Sequence, residues 1–73
     1  MTAGWASEYL ALHVLMHRTR RRLGLTQAAA SGLAGVCERT FREFEAGRGD
    51  LPAAKVFQLA DALGIHIHVQ RSQ

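Results

Sequence analysis

A single cysteine, Cys37, stands in this chain. It has no partner within the sequence, so no disulfide staples the fold, and a reducing cytoplasm suits it. Long apolar runs are also missing. The longest, YLALHVLM from Tyr9 to Met16, falls short of the about 20 residues that span a bilayer, and no stretch reads as a signal peptide. The 73 residues leave no room for a deep cleft walled by two layers of structure, so an enzyme is not expected and no cofactor is implied. Repeats, low-complexity tracts and inter-domain linkers are absent, which leaves one domain over residues 1–73.

What is present points to a small, basic, folded domain. Hydrophobic residues make up 48%, enough for a globular chain. A domain of this size buries only about 60% of its chain surface, so its stability is marginal and dimerisation would help it. Net charge is +3, and all but one of the nine basic residues are arginine. Four arginines crowd RTRRR, Arg18 to Arg22. Arginine grips planar anions such as phosphate with paired hydrogen bonds. The same cluster also suits a solvated helix end, where cations offset the helix dipole.

The pattern predicts four helices in a helical core over 7–64, with a strand after it. Residues 1–6 read as a loose lead-in, Ser7 as an N-cap and Glu8 as a first-turn acid. Leu12, Met16, Arg20 and Leu23 share a face of the first helix, with Leu15 beside them, and Gly24 ends it. Thr26 caps a short second helix from Gln27 to about Leu33, with Ala30 and Leu33 inward. Gly35 supplies a tight turn, Val36 plugs the gap, and Cys37 starts the third helix. There Phe41 and Phe44 face inward, while Glu38, Arg39, Arg42 and Glu43 face out. Pro52 opens the fourth helix, whose apolar stripe is Val56, Leu59, Ala60 and Leu63.

After Gly64 the period changes. Ile65, Ile67 and Val69 alternate with His66 and His68, a strand pattern over 65–70. A lone strand has no partner in this chain, and an open edge is sticky. Pairing with the same strand of a second copy solves this as a two-fold homodimer; the alternative is an apolar tail tucked on the core.

These residues resemble the lambda-repressor-like helix-turn-helix family of the Cro/CI, xenobiotic-response-element type. The resemblance is carried by Leu23, Gly24, Leu25, Thr26, Gln27, Ala34, Gly35, Val36, Arg39, Thr40, Glu45 and Gly47, and by the LADALGI segment. It covers about residues 12 to 64. The closing ALGIHIHV resembles the HipB-like antitoxins, whose dimers pair through such a strand. The fold so implied is all-α, four to five helices, with a short C-terminal strand pairing across a dimer. The chain departs from the family pattern at Ala30, Ser31, Gly32 and Cys37. Glycine within a helix costs about 1 kcal/mol relative to alanine, and Cys37 replaces a better cap.

The resemblance also assigns roles. Helix three would enter the major groove while helix two lies over the backbone. It implies that Gln27 hydrogen-bonds a phosphate at the start of helix two. Arg39 can grip guanine, and Glu38 or Glu43 can accept from cytosine. The same four outward charges also fit helical pairs, Glu38–Arg42 and Arg39–Glu43, that would open on binding. Thr40 matches a backbone or thymine-methyl contact, and Arg48 is placed to meet the next phosphates. By the match, Arg20 pairs inward with Glu45, leaving Arg18, Arg21 and Arg22 as candidate phosphate contacts.

The resemblance therefore implies a cytoplasmic, nucleoid-associated homodimer that represses transcription from a palindromic operator. Within that class it implies an antitoxin autorepressor with a kinase-like toxin as protein partner. A protein-interaction module that inhibits a toxin, with weak or no DNA binding, is the other reading. Surplus apolar residues on helix one (Tyr9, Leu10, Val14), with Trp5 preceding them, call for a dimer contact, a partner or a lid. His13 and His17 are spaced for a metal, as are His66 and His68, yet no cysteine or carboxylate completes either set, so titrating surface histidines are the expectation. Cys37 at a helix start reads as a serine substitute rather than a redox thiol.

Overall fold

The computed structural model describes residues 4–71 and holds four helices in chain order: α1 Gly4–Arg22, α2 Gln27–Ala34, α3 Glu38–Glu45 and α4 Ala53–Ala62. No strand occurs among the described residues. Trp5, Tyr9, Leu12 and Met16 recur at spacings of four, three and four, which puts one apolar stripe along α1 from its first turn. That stripe starts before Ser7, and the helix runs through it. Ser7 is therefore not a cap, Glu8 is not in the first turn, and the expected lead-in is helical from Gly4; its first three residues lie outside those described.

The core collects around α4. Val56, Leu59, Ala60 and Leu63 are buried together with Leu51, Phe41, Phe44 and Met16. Leu12, Leu25, Val36 and Ile65 pack against them from the rim. On α1 the stripe centres on Met16. Leu15 and Leu23 fall to its flanks and stay 47% and 55% exposed, against the inward placing read from spacing.

On α2 the buried residues are Ala30, Ser31 and Ala34, not Leu33, which is 41% exposed. This helix packs against both α3 and α4. Small side chains let those neighbours approach closely, so the alanines and not the leucine take the contact. Ser31 tolerates burial because its hydroxyl donates to the Ala28 carbonyl at 2.7 Å.

Each helix is closed by a glycine at positive φ: Gly24, Gly35, Gly47 and Gly64. The pairing is the same throughout. At Gly35 (φ 69°) its own N–H meets the Gly32 carbonyl and that of Val36 meets Ser31, at 3.2 and 3.0 Å. This is the Schellman arrangement, and it turns the chain sharply from α2 into α3.

Thr26 caps α2 through its hydroxyl, which accepts from the Ala29 N–H at 3.0 Å. Pro52 precedes α4 as its N-cap residue. Beyond Leu63 the chain leaves the helix. Ile65 donates its N–H to the Ala60 carbonyl at 2.8 Å, and residues 65–71 are in neither helix nor strand. Ile65 and Ile67 are half-buried, whereas Val69 is 87% exposed.

Candidate nucleic-acid interface

The turn at Gly35 is braced from behind. Gln58 on α4 donates through Nε2 to the Leu33 carbonyl at 3.2 Å, holding the last turn of α2. With Phe41 and Phe44 locked in the core, the opposite side of α3 has only one direction to face. Arg39, Thr40 and Arg42 are exposed there, Glu38 and Glu43 are half-exposed, and Arg48 lies exposed in the loop after it.

The charges on this face are partly paired. Arg42 donates to the Glu38 carboxylate one turn earlier. Glu43 does not pair with Arg39, as helical spacing suggested. It accepts from Arg48 Nε at 3.1 Å. The reason is the glycine closure: the Arg48 N–H bonds the Glu43 carbonyl at 2.9 Å, which folds the loop back over that residue. Arg39 is left without an ion-pair partner among the described residues.

Cys37 occupies the N-cap of α3 in extended conformation and makes no side-chain cap bond. Its sulfur lies 3.1 Å from the Thr40 hydroxyl. That hydrogen bond, with help from the Thr40 backbone, holds the thiol below its ordinary value of 9.0.

The other end of α3 is fastened to the rest of the domain through one carboxylate. Glu45, 9% exposed, accepts from Arg20 Nε at 2.7 Å and Nη2 at 2.8 Å, a two-pronged grip. Arg20 also donates from Nη1 to the Leu25 carbonyl at 2.7 Å. Gln27, the first residue of α2, donates its amide to the same carboxylate at 2.9 Å. The structure thus joins α1, α2 and α3 at Glu45. Burial pushes this carboxyl up, but the bonds from Arg20 and Gln27 and the Arg20 charge outweigh it and hold it below its usual 4.5.

Two histidines join the same end of α3. His13 Nε2 lies 2.8 Å from the Phe44 carbonyl, with its ring centroid 4.5 Å from that of Phe44. His17 Nδ1 lies 3.4 Å from Glu45 Oε2. Sequence reasoning treated both as surface groups. Their spacing with Arg20, at 13, 17 and 20, runs along the inward flank of α1, and that signal marks them as neighbours of whatever Arg20 meets. Gln58, which supports the turn, carried no local signal at all.

Elsewhere, Trp5 (73% exposed), Leu10 (63%) and Val14 (46%) leave α1 with an uncovered apolar surface. Trp5, Tyr9, Leu12 and Leu15 form with Ile65 and Ile67 a groove of about 470 Å³ between α1 and the C-terminal segment. No described helix is long and apolar enough to cross a membrane.

In comparison with known proteins, residues 11–72 match the family model described as a helix-turn-helix domain. No curated protein matches the chain.

Proposed function

The chain belongs to the helix-turn-helix domain family, and from that footing we propose that it is a sequence-specific DNA-binding repressor of transcription acting as one domain. One observation carries the reading: Arg39 and Arg42 stand on the exposed face of α3, uncovered by the chain's own atoms. Arg39, free of any ion pair among the described residues, is the base reader; a bidentate contact to guanine is worth about 1–3 kcal/mol of discrimination. Arg42, Glu38 and Glu43 are held in pairs that open only where bases offer better partners. Thr40, Arg48 and Gln27 supply backbone contacts, Gln27 through the amide hydrogen not used on Glu45. Residues 65–70 pair with those of a second copy, so that two α3 helices meet a palindromic operator about 34 Å apart. The protein works at the nucleoid in the cytoplasm.

A second element of the proposal is an antitoxin role, with autorepression of its own operon and a kinase-like toxin as partner. The uncovered apolar face of α1 supports it, since a patch of this kind calls for a protein surface. It equally suits the alternative, a toxin-inhibiting module with little DNA binding.

Titrating the protein against the duplex upstream of its own gene separates the two. A DNA reader binds that duplex more tightly than random sequence, and loses affinity steeply as salt rises. Arg39→Ala removes the sequence preference while circular dichroism stays unchanged. Equal affinity for both duplexes in the unmodified protein would overturn the repressor reading and leave the interaction module.

A further inference from the structure

A hollow of about 410 Å³ lies between the first half of α1 and the loop that follows α3, and it shares Trp5 and Tyr9 with the groove described above. Its size is that of a small-molecule site. Trp5, Tyr9 and His13 recur every four residues along α1, so three rings stand in one row on that side. The row is anchored in the core at one end: the His13 ring centre lies 4.5 Å from that of Phe44 and 6.1 Å from that of Tyr9. At the other end Trp5 is 73% exposed. Residues 47–50 form the facing wall, and Gly47 and Gly49 place no side chain on it.

The polar groups of this hollow are mostly acceptors. Asp50 is exposed and enters no ion pair among the described residues. The Tyr9 hydroxyl donates to its Oδ1 across a long 3.3 Å, which leaves the lone pairs of the Tyr9 oxygen open. His13 Nε2 donates to the Phe44 carbonyl at 2.8 Å, a group that only accepts, so Nδ1 of the neutral ring is an acceptor. Arg48 is the one arginine on the lining, and its Nε is held by Glu43 at 3.1 Å. An unopposed carboxylate thus stands beside a row of aromatic rings.

We propose that this hollow binds a small organic cation, an aromatic ring that carries a primary ammonium on a short aliphatic arm. The ammonium has three hydrogens to donate and no lone pair, which suits Asp50 and the Tyr9 oxygen. It gains further from lying over an aromatic face. The ligand's ring stacks on Trp5 and covers its exposed surface. A neutral molecule of the same shape keeps the stacking and loses the ion pair. An aromatic carboxylate meets Asp50 with like charge and is refused.

Trp5 is the chain's one tryptophan, so its fluorescence reports on the hollow directly. The test titrates the protein with phenethylamine, 2-phenylethanol and 3-phenylpropanoate at neutral pH and constant ionic strength, with amide chemical shifts recorded in parallel. Phenethylamine should saturate, shift the amides of Gly47, Gly49 and Asp50, and bind about tenfold more tightly than the alcohol. The carboxylate should not saturate. Asp50→Asn, a change at an exposed loop position, should bring the amine down to the affinity of the alcohol with circular dichroism unchanged. Trp5→Leu, followed by chemical shifts, should weaken amine and alcohol alike. Equal affinity for amine and alcohol in the wild type overturns the proposal, as does an Asp50→Asn protein that keeps the preference. So do amine-induced shifts confined to the groove at Ile65 and Ile67, or no saturation by the amine below about 10 mM. None of these outcomes bears on the DNA-binding reading, since no DNA is present.

Discussion

At the scale of single residues, Glu45 decides most. Its carboxylate on α3 takes donors from both α1 and α2, and nearly all of its side chain is covered. Removing one partner of a fully buried pair costs about 3–5 kcal/mol; here Gln27 still donates to Glu45 once Arg20 is lost, which reduces that cost. Small domains have little more than that in total. Arg20→Met is therefore expected to lower the urea midpoint markedly while leaving a folded baseline, whereas Arg21→Met, on the exposed side, should leave it unchanged. The pH dependence follows with a definite sign. The folded Glu45 carboxyl titrates below its ordinary value of 4.5, so the unfolded chain binds the proton more readily. Its contribution to stability is complete above about pH 4.5 and is lost as pH falls through the folded value. Urea melts between pH 6 and pH 3 should show this acid limb in the wild type, and a shallower one in Arg20→Met.

At the scale of elements, α2 and α3 have eight residues each, too short to hold helical form alone in water. Packing and caps hold them, and both carry a weak spot. Gly32 sits inside α2 with a negative φ, and a Cβ there would meet nothing within 4 Å. Gly32→Ala should stabilise by about 0.5–1 kcal/mol. Cys37 caps α3 without a side-chain bond, so Cys37→Ser should add up to about 1 kcal/mol. Each is read as a rise of several degrees in the melting temperature; a fall in either would mean that the wild-type residue has a packing role invisible in its contacts. These elements show what a sequence can reveal. Thr26, Gly35 and the Phe41–Phe44 spacing announce the caps, the corner and the inward face of α3, because each acts over one turn. Through that spacing, the exposure of Arg39 and Arg42 was also legible. The inward face of α2 was not: in QAAASGLA small residues fill most positions, and the one large side chain, Leu33, misled. Nor could spacing along α3 tell that Glu43 turns to Arg48, or that His17 reaches Glu45. Those contacts depend on how a loop closes and where another helix lies.

At the scale of the whole molecule, the unfinished part is the C-terminal segment. Its backbone beyond Ile65 makes no backbone hydrogen bond among the described residues, and Val69 stands 87% exposed. Next to it runs the apolar groove bounded by Trp5, Leu12, Leu15 and Ile67. If a second copy of the same segment paired with it, it would satisfy these free backbone groups and cover the apolar trough together. A single α3 offers few base contacts, and doubling it across a two-fold axis multiplies affinity by joining two half-sites. Ile67→Pro tests the arrangement with little disturbance to the core, because Ile65 keeps both its packing and its bond to Ala60. Proline removes an N–H from the ladder and resists a paired strand. Light scattering should then report 8.0 kDa in place of twice that mass, with helical content retained and operator affinity reduced by more than tenfold. A proline variant that stays dimeric would move the interface to the bare face of α1, around Leu10 and Val14, and Leu10→Asp would then be the change that separates the copies.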